Sequence, residues 1–237
     1  MKTDFSIRSQ EEELMDDLDC AGEVVDQTLR ELEIINRLLG GNYVTIRGLS
    51  HLVKGIPASN KGPIRIADLG CGGGDMLVLV AKWARRNNIN VELIGIDANP
   101  HIVQYAEENT ADYPEISYLA LDIFSEEYAQ MQFDIVITSL FTHHFTKDQL
   151  VSLTHMIKEQ SSYGFVNNDL HRHWLAFYSI KLLTRFFSKS EMVQYDAPLS
   201  VLRGFRRKEW REILEEAGVQ SYSLKWMWAF RWQIIFR

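Results

Sequence analysis

Residues 66–75 of this chain have the sequence IADLGCGGGD. A short apolar run at 64–68 leads into this glycine-rich turn, and an amphipathic helix is predicted directly after it at 75–87. Glycine adopts positive φ angles and lets a backbone approach a ligand closely. In α/β folds, ligands bind beyond the carboxyl ends of the strands. The turn therefore predicts a ligand site at the end of the first strand of a parallel sheet.

Strands and helices are predicted to alternate through the rest of the middle of the chain. The predicted strands are 64–68, 91–97, 116–121, 133–139 and 163–168, and the predicted helices are 75–87, 100–109 and 147–160. Such alternation indicates a parallel sheet with helices on both faces. Two aromatic-rich strands at 221–228 and 230–236, with almost no residues between them, predict an antiparallel hairpin. The fold class expected is α/β, a doubly wound, mostly parallel seven-stranded sheet with a C-terminal antiparallel hairpin.

The flanking segments are predicted to be helical. Residues 11–39 repeat apolar side chains at helical spacing, with Ser9 and Glu12 as a capping box and Gly40-Gly41 as the stop. A short helix is predicted at 43–54, followed by a linker at 55–63. We therefore expect an N-terminal helical cap at 1–60 and the sheet domain at 61–237. Further helices are predicted at 171–188 and 207–217, and the run 188–203 is predicted to form a lid.

Charge limits the classes of partner. The 237 residues carry 25 Lys and Arg against 32 Asp and Glu, a formal net charge of −7. Proteins that bind nucleic acid usually present a basic surface, so no nucleic-acid partner is expected. One local basic cluster is interpreted as the solvated start of a helix; it consists of Arg203, Arg206, Arg207 and Lys208.

The two cysteines, Cys20 and Cys71, do not indicate a disulfide framework, which favours the reducing cytoplasm. The acidic N-terminus lacks the apolar region of a signal peptide. No apolar stretch approaches the roughly 18 residues that a membrane span needs. A cytoplasmic chain without a membrane span is expected.

The glycine turn does not match the sequence motifs of two kinds of nucleotide site. In a dinucleotide fingerprint that starts at Gly70, the third glycine would fall on Asp75, and an acid there opposes a pyrophosphate at the helix N-terminus. A phosphate-binding P-loop would need Gly-Lys-Ser/Thr, which is absent. The pattern present is D-x-G-x-G-x-G, formed by Asp68, Gly70, Gly72 and Gly74.

With this pattern the sequence resembles the class I S-adenosylmethionine-dependent methyltransferases. Asp97 ends the second strand, 23 residues after Gly74, where a carboxylate can accept hydrogen bonds from both ribose hydroxyls. Dinucleotide enzymes use an acid in the same place, so Asp97 alone does not discriminate. The resemblance also places Asp122 at an adenine amino group and Ile123 on the adenine ring, and it matches 134–140 to the strand that leads into the active site. It implies S-adenosylmethionine as cofactor, held by Asp68, Gly70, Cys71, Gly72, Gly74, Asp97, Ala98, Asp122, Ile123 and Ser139.

Histidines follow the fourth and fifth strands. THHF occupies 142–145 and NDLHRH occupies 168–173. Imidazole titrates near neutrality, so His144 or His171 is a candidate base or acceptor-positioning residue. The alternative is that these histidines mainly shape the loops. Asn167, Asn168 and Asp169 faintly resemble the ligands of metal-dependent catechol methyltransferases, but no further ligand is recognisable, so no metal is expected.

The acceptor is expected to be small and partly apolar. The predicted helix around 174–180 is rich in aromatic residues, and the Asn-Pro-Pro-Tyr motif of adenine-modifying enzymes is absent. The overall resemblance is to quinone-biosynthesis and polyketide-tailoring methyltransferases, which implies methyl transfer to an O or C atom of a phenolic, quinone-like or polyketide acceptor. A nucleotide-cofactor (NAD-type) oxidoreductase is disfavoured by Asp75 and by the lack of a Tyr-x-x-x-Lys pair. A non-catalytic S-adenosylmethionine-binding module and a homodimer both stay open.

Overall fold

A computed structural model describes residues 3–57 and 62–237. The described helices and strands, in chain order, are α1 (Glu23–Leu38), α2 (Gly41–Val53), β1 (Ile64–Leu69), α3 (Asp75–Arg86), β2 (Val91–Asp97), α4 (Pro100–Asn109), β3 (Ile116–Ala120), α5 (Glu126–Ala129), β4 (Phe133–Ser139), α6 (Lys147–Gln160), β5 (Ser161–Leu170), α7 (Trp174–Phe187), α8 (Glu191–Arg203), α9 (Arg207–Glu216), β6 (Tyr222–Met227) and β7 (Arg231–Phe236). Single 3-10 turns occur at Leu14–Asp16 and Thr142–His144.

The strands form one seven-stranded sheet in the order β3-β2-β1-β4-β5-β7-β6. All neighbours from β3 to β5 pair in parallel, whereas β7 runs antiparallel to both β5 and β6. The chain leaves β1 towards β2 on one side and later returns to β4 on the other. The strand order therefore reverses beside β1, which is where ligands bind in such sheets. The predicted fold class is confirmed, including the C-terminal hairpin.

Helices cover both faces of the sheet, because successive strand residues point to opposite sides. Ile66 packs in a buried cluster with Leu49 of α2 and Leu77 of α3. Its neighbour Ala67 belongs to the opposite cluster, which contains Trp210 of α9 and residues of α6. Apolar burial on both faces holds β1 rigidly, so the glycine turn that follows it has a fixed position.

The prediction of one helix over 11–39 is wrong in its first half. The strap, residues 3–22, contains only the 3-10 turn at Leu14–Asp16, and α1 begins after Gly22, which has a φ of 83°. Helix α8 holds the strap in place, because the carboxylate of Asp196 accepts hydrogen bonds from the backbone N–H groups of Leu14 (2.8 Å) and Met15 (3.2 Å). The predicted capping box is also wrong, since Ser9 Oγ accepts from the Glu11 N–H at 3.2 Å and caps no helix.

The run predicted as a lid is mostly the helix α8, which packs against α7. Arg203 at its end is only 5% exposed. The interpretation of the basic cluster as solvated is therefore wrong for Arg203, although α9 does begin at Arg207. Strand β5 continues to Leu170, so the following helix starts at Trp174 rather than at 171.

Part of the predicted linker, residues 58–61, and with it the predicted boundary near residue 60, lies outside the described residues. Both cysteines are free. Within residues 3–57 and 62–237, no helix has the length and apolar character needed to cross a bilayer.

Candidate active site

A cavity of about 880 Å³ opens at the carboxyl ends of β1, β2 and β4, and the strap, α1, α7 and α8 form its other walls. This volume is in the range of small-molecule sites. Nine of the ten predicted cofactor residues line it: Asp68, Gly70, Cys71, Gly72, Asp97, Ala98, Asp122, Ile123 and Ser139. Gly74 does not line it, and of the two predicted base candidates only His144 does.

The glycine turn needs glycine for two different reasons. Gly70 has a φ of 67°, and a Cβ there would lie 2.0 Å from the ring of Phe141. Gly72 has a φ of 50°, and its Cβ would meet only Leu29, at 3.7 Å, so the backbone at Gly72 stays open towards the cavity. Gly74 caps α3 with a φ of 77°, and a Cβ there would strike the hydroxyl of Tyr118 at 2.1 Å. Gly74 therefore contributes to the shape of the turn by packing closely against Tyr118, without lining the cavity.

Acidic groups surround this turn. Asp68 is 1% exposed, and within the described part of the chain its Oδ1 has no hydrogen-bond partner. Burial, together with the nearby charges of Asp75 and Asp97, raises the pKa of Asp68 well above its usual value. Burial and the charge of Glu33 raise the pKa of Asp75 to about 6. Such a site favours a cationic ligand and opposes a pyrophosphate.

Asp97 is tied to the turn. Its carboxylate accepts the N–H of Gly72 at 3.3 Å and the N–H of Asn99 at 3.1 Å. Burial raises its pKa, and these two backbone hydrogen bonds oppose that effect. Asn99 in turn caps α4 by accepting from the N–H groups of His101 and Ile102. The carboxylate is therefore held at the cavity wall by backbone on both sides.

Two adjacent imidazoles, in the 3-10 turn after β4, line the same cavity as the glycine turn. The rings of His143 and His144 are 4.3 Å apart. His143 is buried, and its Nδ1 lies 2.7 Å from Asp169 Oδ1 at the end of β5. Although burial acts to raise the pKa of Asp169, the charge and hydrogen bond of His143 lower it to about 2. The His143–Asp169 pair anchors the turn to the sheet.

A carboxylate of the strap orients the ring of His144. Its Nδ1 lies 2.5 Å from Asp16 Oδ1, and Asp16 also accepts a hydrogen bond from Arg203. Burial opposes ionisation of Asp16, but its hydrogen bonds with His144 and Arg203 outweigh that and lower its pKa. Nε2 of His144 has no hydrogen-bond partner among the described residues, which leaves it available to a ligand in the cavity.

Glu13 completes this cluster. Its Oε1 lies 3.5 Å from Nε2 of His143 and 3.6 Å from Nη1 of Arg203, and its Oε2 accepts from Ser200 Oγ at 2.7 Å. Burial raises the pKa of Glu13 to about 7, although the charges of His144 and Arg203 and the hydrogen bond from Ser200 lower it.

The same cluster has the ligand types of a metal site. Potential ligand atoms of Glu13, His143 and His144 lie within 4.8 Å of one another. The guanidinium of Arg203 already contacts Glu13 and Asp16, and a fixed cation there opposes a second one. Residues 167–169, which only faintly resemble metal ligands in sequence, take part in hydrogen bonds: Asn167 accepts from Thr138 at 2.9 Å.

His171 lies elsewhere. Its ring packs 4.9 Å from Trp232 and 5.6 Å from His173. Burial, with the neighbouring positive charges of His173, Arg206 and Arg172, lowers its pKa to about 4, which makes it a weak base at neutral pH. Its role as a base stays a prediction that its position does not favour.

Sequence reasoning missed several residues of this site. His143 adjoins the predicted His144, and Asp169 lies at the end of the next strand. A histidine and an acid that follow neighbouring parallel strands are therefore the sequence signal for this pair. No local signal marks Glu13, Asp16 or Arg203, because they meet the histidines only in the folded chain.

Comparison with known proteins agrees with this fold. A family model described as "Methyltransferase domain" matches residues 60–218, and the chain belongs to this family of methyltransferase domains. The resemblance to class I methyltransferases is thereby confirmed. No curated protein matches the chain.

Several solved structures share the fold. Human N-acetylserotonin methyltransferase, in complex with SAM, has a TM-score of 0.66 and 17% identity, over 98% of this chain and 60% of that one. The plantazolicin methyltransferase BpumL, in complex with a triazolic desmethylPZN analog and SAH, has a TM-score of 0.62 and 16% identity, over 84% of this chain and 73% of that one. The CMeT domain of citrinin polyketide synthase has a TM-score of 0.60 and 17% identity, over 79% of this chain and 49% of that one. The chain thus spans about half the length of the citrinin domain structure, and it spans 59% of an O-methyltransferase from Nostoc punctiforme.

Proposed function

We propose that this chain is an S-adenosylmethionine-dependent methyltransferase that acts on an O or C atom of a small, partly apolar acceptor. The observation that carries the proposal is a single cavity that joins the acidic glycine turn to His144. One end of this cavity suits a cationic ligand, and the other presents an imidazole held by a carboxylate.

The cofactor end fits the chemistry of S-adenosylmethionine. The buried carboxyl of Asp68, whose Oδ1 has no hydrogen-bond partner among residues 3–57 and 62–237, suits the amino group of the methionine moiety. The open backbone at Gly72 allows close approach. Asp97 would accept from ribose hydroxyls, while Asp122 and Ile123 would hold the adenine. When bound, this cofactor supplies an electrophilic methyl group on a sulfonium.

The acceptor end supplies a base. Nε2 of His144 would take the proton of an acceptor hydroxyl or activated C–H group, while Asp16 holds the ring and stabilises the imidazolium that forms. The strap lies against the base, because Asp16 belongs to it. Apolar residues of the helical wall, among them Ala176, Ile180 and Leu183, line the same cavity and favour an acceptor with an apolar part.

The test is calorimetric binding of S-adenosylmethionine, its demethylated product S-adenosylhomocysteine and NAD to the purified chain. The first two are expected to bind, and the Asp97→Ala variant to lose about tenfold or more in affinity, because it removes charge-assisted hydrogen bonds. Asp112→Ala, at an exposed carboxylate, is the matched control. Binding of NAD in place of S-adenosylmethionine would overturn the proposal.

The non-catalytic alternative requires a second measurement. The chain is incubated with S-adenosylmethionine and a panel of phenols, quinols and polyketide-like acceptors, and S-adenosylhomocysteine is quantified. Acceptor-dependent product supports the enzyme. Tight cofactor binding without transfer to any member of a broad panel supports the binding module instead.

A further inference from the structure

Helix α7 presents two different apolar faces. Its inner face carries Ala176, Phe177 and Thr184, which are buried, and Leu183, which lines the cavity. Its outer face exposes large apolar side chains, namely Trp174 (54%), Leu175 (42%), Tyr178 (51%), Leu182 (59%) and Phe186 (70%). At 3.6 residues per turn these five lie on one side of the helix. The folded chain, over the residues described, therefore leaves a continuous apolar face of α7 uncovered.

All charged side chains of this helix are basic. Lys181 and Arg185 fall beside Trp174 at one edge of the outer face, and Lys189 follows two residues after the helix ends. None of the three forms an ion pair with another described residue; Lys181 only lies over the Phe177 ring, at 5.6 Å. The chain as a whole is acidic, with a net charge of −7, so a helix whose charged side chains are all basic differs from the average surface. The carboxylate of Glu31 accepts the backbone N–H of Lys189 at 3.1 Å, beyond the C-terminal end of α7.

The same surface continues to the mouth of the cavity. His173, just before α7, stacks on Phe230 at 5.0 Å, and this contact joins α7 to the β6–β7 turn. That turn exposes Trp228 by 70% and, at the end of β6, Trp226 by 46%. Trp228 also lines the cavity. The docking face, defined as the outer residues of α7 together with Trp226 and Trp228, thus borders the opening of the proposed active site.

We propose that this docking face binds an anionic phospholipid surface. Around the helix, leucine and phenylalanine lie on the side away from the cations, tyrosine comes between, and tryptophan lies beside the cations at the other edge. This is an arrangement by which a helix lies in a membrane interface. Each cation near an anionic leaflet adds attraction. The helix has 14 residues, which suits lying on the interface rather than crossing it.

A second copy of the chain fits this face less well. In a two-fold dimer both copies contribute the same patch, so the interface would carry Lys181 and Arg185 twice, and α7 supplies no acidic side chain to pair with them. An anionic lipid surface supplies the opposite charge, and its interior accepts Leu182 and Phe186.

Docking in this orientation would turn the cavity mouth towards the bilayer, from which an apolar acceptor could enter directly. This consequence rests on the proposed function, whereas docking itself is measured without any turnover. Failure of vesicle binding and failure of methyl transfer are therefore separate results.

The experiment is flotation of the full chain with phosphatidylcholine vesicles and with mixed phosphatidylcholine–phosphatidylglycerol vesicles. We expect binding to the mixed vesicles that weakens as salt is added. Leu182→Gln/Phe186→Gln should reduce it about tenfold or more by removing buried apolar area. Lys181→Gln/Arg185→Gln should also reduce it about tenfold, and only on anionic vesicles.

The matched controls change equally exposed residues elsewhere. Tyr43→Gln replaces a side chain that is 63% exposed, and Arg207→Gln/Arg211→Gln removes two exposed cations from α9. Both should bind vesicles as the unaltered chain does, and circular dichroism checks that every variant is folded. Absence of vesicle binding by the unaltered chain, or equal losses in the controls, would overturn the proposal. So would self-association in sedimentation velocity that disappears in Leu182→Gln/Phe186→Gln, because a second copy would then cover the face.

Discussion

Nδ1 of His144 lies 2.5 Å from Oδ1 of Asp16, although 128 residues separate them in the chain. The histidine belongs to the turn after β4, and the aspartate belongs to the strap that closes over the cavity. A candidate base is therefore oriented by a segment outside the sheet. The strap does more than cover the site, because without it Nδ1 of His144 would lose this carboxylate.

Replacing His144 tests its role as a base. We expect His144→Ala to lower kcat about 100-fold or more, the usual contribution of general base catalysis, while calorimetric binding of S-adenosylmethionine stays unchanged. His155→Ala, at an exposed histidine of α6, should leave both unchanged. Unaltered turnover in His144→Ala would remove the base assignment.

Asp16→Asn separates positioning from catalysis. Removing the carboxylate takes away the hydrogen-bond partner of Nδ1 of His144 and the charge that stabilises the imidazolium formed in the reaction. We therefore expect kcat to fall, but less than in His144→Ala, while calorimetric binding of S-adenosylmethionine stays unchanged. A purely structural role for Asp16 would lower the fraction of folded protein in circular dichroism and leave kcat per folded molecule unchanged.

The buried carboxyl of Asp68 should make cofactor binding release a proton. Its pKa is raised by burial and by Asp75 and Asp97, so the group must ionise to pair with an ammonium group. Affinity for S-adenosylmethionine is then expected to rise with pH, and calorimetry in buffers of different ionisation enthalpy should detect the released proton. Asp68→Asn should bind more weakly and lose this proton release, whereas Asp112→Asn should keep it. Release that persists in Asp68→Asn would assign the proton to another group.

Substitution of Gly70 distinguishes packing from backbone strain. Gly40 and Gly70 have similar φ values of 71° and 67°, but a Cβ at Gly40 meets nothing within 4 Å, whereas one at Gly70 meets the Phe141 ring at 2.0 Å. Gly40→Ala should cost about 1–2 kcal/mol of unfolding free energy from the left-handed backbone alone. Gly70→Ala should cost more and should also weaken S-adenosylhomocysteine binding. Equal costs in chemical denaturation would mean that Phe141 moves aside freely.

Glu13 should make stability fall as pH rises. Its pKa increases from 4.5 to about 7 on folding, so between these values the folded chain holds a proton that the unfolded chain has lost. The contribution of Glu13 to the free energy of unfolding is largest below about pH 4.5, declines as pH rises towards 7 and is constant above pH 7. The total loss is about 3 kcal/mol, at about 1.36 kcal/mol per pKa unit. Denaturation of Glu13→Gln across this window should show a flatter pH dependence. Glu12→Gln, at an exposed neighbour, should follow the unaltered chain, and identical curves for all three proteins would exclude Glu13 as the source.

Metal removal tests the cluster of Glu13, His143 and His144. Because Arg203 already neutralises this cluster, we expect turnover after dialysis against a chelator to equal turnover before it. Elemental analysis of the purified chain provides the matching measurement. Inactivation by the chelator, with recovery on adding a divalent metal, would show that a metal assists the reaction.

Local patterns in the sequence were enough for the sheet and for the glycine turn at its edge. The glycine turn lies between β1 and α3, and Asp97 ends the next strand, so each side chain is placed by the residues beside it. Parallel pairing then brings the strand ends to one edge, as the register of Asp68 with Gly95 and Ile137 illustrates. Helix bounds such as Pro100–Asn109 and Lys147–Gln160 were likewise predictable from periodicity and capping.

The acceptor side depended on tertiary structure. The apolar spacing of Leu14 and Leu18 predicts a helix, but both are exposed, and the strap is held by the carboxylate of Asp196. Arg203 lies in a basic run that suggests solvent, yet it contacts Asp16 across 187 residues.

His144 and His171 follow equivalent strands and are indistinguishable by pattern, but only His144 lines the cavity. The sequence by itself determined the fold and the glycine turn, because those follow from local backbone preferences and strand periodicity. Only the folded chain decided which carboxylate meets which histidine, because that pairing depends on contacts between segments more than a hundred residues apart.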